Sequence, residues 1–142
     1  MFSPSGQTQY SATPDDDLFR QISKTYSENH PKMHLANPHE INCTRALKRF
    51  TDGISNGASW SPLTGGMQDY NYVRSNCYEV TVELGCEKFP REENLKTYWE
   101  ENKKSLIKFI EFVSSFSNLI RIKVNSQVFK KPFLKFLFLQ LC

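Results

Sequence analysis

The sequence predicts a mixed α/β chain, on three observations. Residues 77–84 alternate apolar and polar side chains with a period of two. Segments that begin near Thr13 and near Glu92 instead place their apolar residues three or four positions apart. The bulk composition, 39% hydrophobic and 23% charged over 142 residues, suits one domain or part of one with a modest core.

Taken in order, residues 1–12 are polar and rich in Ser, Gln and Thr, and read as loop. Thr13-Pro14-Asp15-Asp16 marks a helix start: Thr13 as cap, Pro14 at the first helical position, acids at the positive end of the dipole. Leu18, Phe19, Ile22 and Tyr26 follow at helical spacing, and the helix is expected to stop near His30-Pro31. Residues 30–59 read as loop, punctuated by Pro31, Pro38, Gly53 and Gly57. The run Gly65–Tyr72 reads either as a tight turn with packing aromatics or as a dense set of hydrogen-bonding groups on a close-approaching backbone. In the strand over 77–84, Tyr78, Val80, Val82 and Leu84 share one face and Cys77, Glu79, Thr81 and Glu83 the other. The second helix is expected over about 92–113, with Leu95, Tyr98, Trp99, Leu106, Phe109, Ile110 and Val113 as its apolar stripe. From about Phe116 the chain turns basic, aromatic and acid-free, without clean period or caps. Residues 1–115 therefore form the folded part, and 116–142 a divergent tail that is not expected to be a domain.

The composition excludes several classes of function. A net charge of +3, from 18 basic and 15 acidic residues, is too mild to argue for nucleic acid. No stretch reaches the roughly 18 apolar residues of a membrane span. The tail, 129–139 above all, has the makings of a membrane-surface segment, but an unpacked end is the expected reading. The N-terminus has neither the basic start nor the apolar run of a signal peptide, so a secreted parent would carry its address upstream of Met1. Cys43, Cys77 and Cys86 are spaced 34 and then 9 residues apart, which matches no zinc-finger pattern. Any pair of them is a disulfide candidate, with Cys43 joined to Cys77 or to Cys86 the favoured pairings. Asn42-Cys43-Thr44 is a glycosylation sequon, and both features point to an oxidising compartment.

Among groups that carry chemistry, Glu83 stands mid-strand on the face opposite the large apolar residues. Periodicity alone favours a solvated or ion-paired glutamate over a carboxylate aimed into a cleft. His30, His34 and His39 lie close to Glu40 and Cys43, but the stretch is irregular and holds two prolines, so no metal site is expected there.

Read together, the segments 12–33, FTDGISNGASW (50–60), GGMQDYNY (65–72), NCYEVTVELGCEKFPREENL (76–95) and YWEENKKSLIKFIE (98–111) resemble the regulatory N/E subfamily of zinc carboxypeptidases, over about residues 11–113. The resemblance implies an α/β fold with a mixed sheet and helices on both faces. Residues 1–115 would be the C-terminal half of the catalytic domain, with the N-terminal half missing. It implies a secreted, lumenal or membrane-attached parent that removes C-terminal Lys or Arg from peptides or proteins with one zinc ion. In that family a glutamate accepts a proton from water and passes it to the leaving amine. By its place in EVTVEL this is Glu83. The Gln of GGMQD, here Gln68, lines the pocket for the basic side chain, where a neutral amide can hydrogen-bond a cation.

Three departures qualify the resemblance. The His-x-x-Glu and His-Gly-Gly segments that hold zinc in the family belong upstream of these residues, so no metal ligand is assigned here. Active members carry a substrate-capping tyrosine after the Trp that precedes Gly-Gly, and Ser61 stands there instead. Near Val113 the family continues into a small β-domain, whereas this sequence enters its tail. The expectation is a metallocarboxypeptidase whose truncated chain is inactive alone. The alternatives are a non-catalytic peptide- or matrix-binding module and a non-functional fragment.

Overall fold

The computed structural model describes residues 6–35, 50–60, 63–75, 77–84, 89–124 and 140–141, with side chains up to residue 115. Two helices supply its frame. Helix α1 spans Asp16–Asn29 and α4 spans Glu92–Val124. They cross so that Ile22 and Tyr26 of α1 meet Phe109 of α4, and Val82 completes this buried cluster. Leu18, Met33, Tyr78, Val80, Leu84 and Leu106 pack around it. The apolar face expected of the 77–84 segment therefore does turn to the core.

The interface between the two helices also carries polar groups. The Tyr26 hydroxyl donates to Asn102 Oδ1 at 2.7 Å, and Asn102 Nδ2 donates to the Tyr98 carbonyl at 2.8 Å. Burial pushes the Tyr26 hydroxyl up to about 12, so it remains a donor at any physiological pH. A buried polar pair of this kind is tolerated because each partner satisfies the other.

The ends of the helices differ from expectation in instructive ways. Thr13 does not cap α1. Asp15 holds the cap position without a side-chain hydrogen bond, and the turn before it closes from the Asp16 N–H to the Thr13 carbonyl at 3.2 Å. At its other end α1 stops as the Pro31 ring requires, with His30 in extended backbone. The second helix runs past 113 to Val124, and the reason lies in its sequence, which has no Gly or Pro between 92 and 124.

His30 organises the turn that follows α1. Its side chain is buried, and its Nδ1 accepts the backbone N–H groups of Lys32 and Met33 at 3.2 and 3.0 Å. His34 Nδ1 lies 2.9 Å from the His30 carbonyl, and Lys32 Nζ pairs with Glu101 on α4. His30 and His34 are thus each engaged with backbone through Nδ1. His39, Glu40 and Cys43 lie outside the described residues.

The loop reading of 50–59 needs refinement. A 3-10 turn over Thr51–Gly53 leads to a short helix α2, Gly57–Trp60. Asp52 and Gly53 both have positive φ, 58° and 68°, and Ser27 Oγ donates to the Asp52 carbonyl at 2.6 Å. Asn56 holds the N-terminal loop by two hydrogen bonds with the Ser11 backbone, at 2.8 and 3.3 Å.

The expected strand is shorter than its alternation suggests. Among the described residues only Thr81–Val82, β1, is paired, in parallel, with Gln140–Leu141, β2. A strand is fixed by its ladder partners, and alternation records only which face is buried. Among the described residues the wider mixed sheet of the family is not displayed.

Candidate functional site

The site forms where helix α3, Met67–Ser75, lies against the polar face of the 77–84 segment. The sequence hides this helix. Its nine residues include two aromatics, an Asn and an Asp behind paired glycines, which reads as a turn. Gly65, at φ 75°, does make a turn, and the Gly66 carbonyl then accepts the Tyr70 N–H at 3.2 Å. Asp69 in the first turn and Arg74 in the last match the helix dipole, and that pair was the available signal.

Helix α3 is held on one flank by aromatic packing. The Tyr72 ring meets Phe19 edge-on at 5.2 Å, and its hydroxyl donates to Asp15 Oδ2 at 2.8 Å. Tyr78 closes the same cluster, 5.5 Å from Phe19. This fixes the N-terminus of α1, the helix and the following segment as one unit.

The other flank faces the extended segment. Gln68 Nε2 lies 3.4 Å from Thr81 Oγ1. Thr81 and Glu83 are two residues apart in an extended segment and so stand on one face. Two of the residues expected to act together, Gln68 and Glu83, are thus brought to the same side. Glu83 is exposed. The protein around its carboxyl nevertheless removes enough water to raise its pKa above the ordinary glutamate range. A carboxylate that solvent can reach but incompletely hydrates is suited to proton transfer.

The remaining expectations are placed as follows. Ser61, Cys43, Cys86 and Asn42 lie outside the described residues. Trp60, immediately before Ser61, packs edge-on against Phe50 at 5.5 Å. The Cys77 thiol points to the Ser75 carbonyl at 3.6 Å. Glu79 is a residue that the sequence does not single out. It sits on the polar face yet is only 8% exposed, and it accepts a hydrogen bond from Asn71. Alternation gives the face of a residue but says nothing of what covers that face.

Among the described residues no three His, Cys, Asp or Glu side chains converge as a metal site would require. They do not fit a zinc ion by themselves. What they offer is a partly desolvated carboxylate, Glu83, and an amide, Gln68, on one side of the segment. Among the described residues no helix is long and apolar enough to cross a membrane.

The chain is similar in sequence to known proteins. The chain is 46% identical to carboxypeptidase D of Anas platyrhynchos over 104 residues, 73% of this chain and 7% of that protein. It is 49% identical to the carboxypeptidase N catalytic chain of Mus musculus over 107 residues, 75% of this chain and 22% of that one. It is 44% identical to carboxypeptidase M of Mus musculus over 119 residues, 84% of this chain and 24% of that one. The chain thus spans a quarter or less of the length of these relatives. The zinc carboxypeptidase (Peptidase_M14) family matches residues 1–105, so the chain belongs to that family and represents part of its domain.

Proposed function

We propose that this chain contributes the proton-transfer carboxylate and one wall of the specificity pocket to a B-type metallocarboxypeptidase that removes C-terminal Lys or Arg from peptides or proteins. The observation that carries the reading is the placement of Gln68 and Glu83 on one side of the 77–84 segment, with the Glu83 pKa raised. In this reading Glu83 accepts a proton from the attacking water and returns it to the departing amine. Gln68 offers its amide oxygen to the guanidinium or ammonium of the substrate. Zinc, held by the segments the family places upstream, would supply the Lewis acid. The parent is assigned to the secretory pathway or the extracellular space, in keeping with the Asn42 sequon and the cysteines. The chain alone is expected to be inactive.

The test is Glu83→Gln in the full-length parent, assayed by release of C-terminal Arg or Lys. A general base of this kind contributes about 10²–10⁴ in rate. Because protonation silences the base, its raised pKa should also move the acid limb of kcat/KM upward from the ordinary glutamate range. A variant that keeps its turnover rules out the assignment.

Ser61 favours a second reading, a binding module without turnover. Ser61→Tyr in the full-length parent should raise turnover if that hydroxyl is the one missing group. No gain, together with retained peptide binding, supports the module.

A further inference from the structure

We propose that Glu79 is a positioning residue for the pocket that receives the basic side chain, an inference that rests on the reading of Gln68 given above. Glu79 is buried although it belongs to the polar face, and burial of a carboxylate is costly without a compensating partner. Its partner is Asn71, whose Nδ2 donates to Oε2. The Asn71 carbonyl also accepts the Cys77 N–H at 3.1 Å, so Asn71 is tied to this segment through both backbone and side chain.

The register of these contacts gives them their meaning. Asn71 follows Gln68 by three residues, so the two lie one above the other on the same side of α3. Glu79 precedes Thr81 by two, so they share a face of the extended segment. Two bridges, Asn71–Glu79 and Gln68–Thr81, therefore join the helix to the segment in antiparallel order. They are unequal. The Gln68–Thr81 contact is long and links neutral groups, and is too weak to set the rotation of the helix. The Asn71–Glu79 bond has a carboxylate acceptor shielded from water and is the stronger of the two. Moreover α3 has no buried residue among its nine, so beyond the Tyr72 anchor on Phe19 and Tyr78 core packing does little to set its rotation. Tyr72 anchors the far flank, and Glu79 determines which way the near flank, with Gln68, is presented.

The experiment uses the full-length parent. KM and kcat are measured on peptides ending in Arg or in Leu, and binding of free arginine is followed by calorimetry. Glu79→Leu should weaken arginine binding and raise KM for the Arg peptide by about tenfold or more, a modest case of what a misplaced binding group costs. The kcat should change little. Glu79→Gln keeps a weaker, neutral acceptor for Asn71 and should fall between wild type and Glu79→Leu. Asn71→Asp should fail alone, while Asn71→Asp with Glu79→Gln reverses donor and acceptor and should restore binding. A purely structural role would lower Tm without altering the preference for Arg over Leu. Retained arginine binding in Glu79→Leu overturns the proposal, as does Glu79→Gln damage equal to that of Glu79→Leu, which would mean that the charge itself acts on substrate. Should Glu79→Leu not fold, the Asn71 pair decides, and a double variant no better than Asn71→Asp overturns the proposal. If the wild-type protein does not prefer Arg to Leu, the pocket reading fails first.

Discussion

The two sides of the 77–84 segment solve different problems. On one side α1 and α4 bury Ile22, Tyr26, Phe109 and Val82 and pair the Tyr26 hydroxyl with Asn102. On the other, α3 buries none of its residues and is attached by rings at one flank and by two side-chain bridges at the other. The first side is stabilised by apolar area removed from water. The second is arranged by directional contacts. The difference teaches that the two faces of one short extended segment are held by different means, burial on one and directional contacts on the other.

Variants can break or sharpen that contrast. The largest effect is expected at Glu83. Glu83→Gln should abolish most turnover of the parent while leaving Tm at neutral pH no lower than wild type. A carboxyl whose folded pKa is raised favours the folded state at low pH and opposes it once pH passes through that pKa. Differential scanning calorimetry at pH 7 checks this, and a clear loss of Tm would show that Glu83 belongs to the stabilising side. Phe109→Ala should do the reverse. It empties the centre of the α1–α4 contact and should cost about 3–5 kcal/mol in urea unfolding of the chain. Tyr26→Phe comes next: it leaves Asn102 Oδ1 without its donor and should cost about 1–3 kcal/mol in the same measurement.

The smallest effect is conditional on pH. Burial holds the His30 pKa below its usual value, with Glu101 opposing the shift and Lys32 and His34 adding to it. Protonation at Nδ1 would also displace the two backbone N–H groups it accepts. The unfolded chain therefore takes up a proton more readily. Stability is full above the unfolded value of about 6.5 and declines as pH falls through it toward the folded pKa. His30→Asn retains an acceptor for the turn and does not titrate. Thermal melts between pH 7 and pH 5 should show wild type losing Tm across that range and the variant losing less. Parallel curves would remove His30 as the cause.

How much of this was legible in the sequence depends on which force sets each element. The α1 stripe and the apolar face of 77–84 were readable because burial imposes a period. The chemical assignment of Glu83 came from its neighbours in EVTVEL, since a carboxylate on a polar face has many ordinary explanations. Helix α3 was not readable: its residues have weak helix propensity, and it is held by contacts with Asp15, Phe19 and Thr81 that are distant in sequence. The brevity of β1 was equally hidden, because pairing is decided by another segment. Glu79 escaped for a related reason, since its cover is supplied by α3.

Gly53 limits how far this sequence can drift. A methyl group placed on it would stand 2.2 Å from the Met33 carbonyl oxygen and 2.5 Å from Ser27 Oγ, and its φ of 68° already disfavours any side chain. The turn after α1 and the turn before α2 are thus in contact through a position where only hydrogen fits. In a saturation library Gly53 should tolerate no replacement, while Gly6 and Gly65, with open space around them, answer only to their backbone angles. Neutral variation in this chain can accumulate around that contact but not within it.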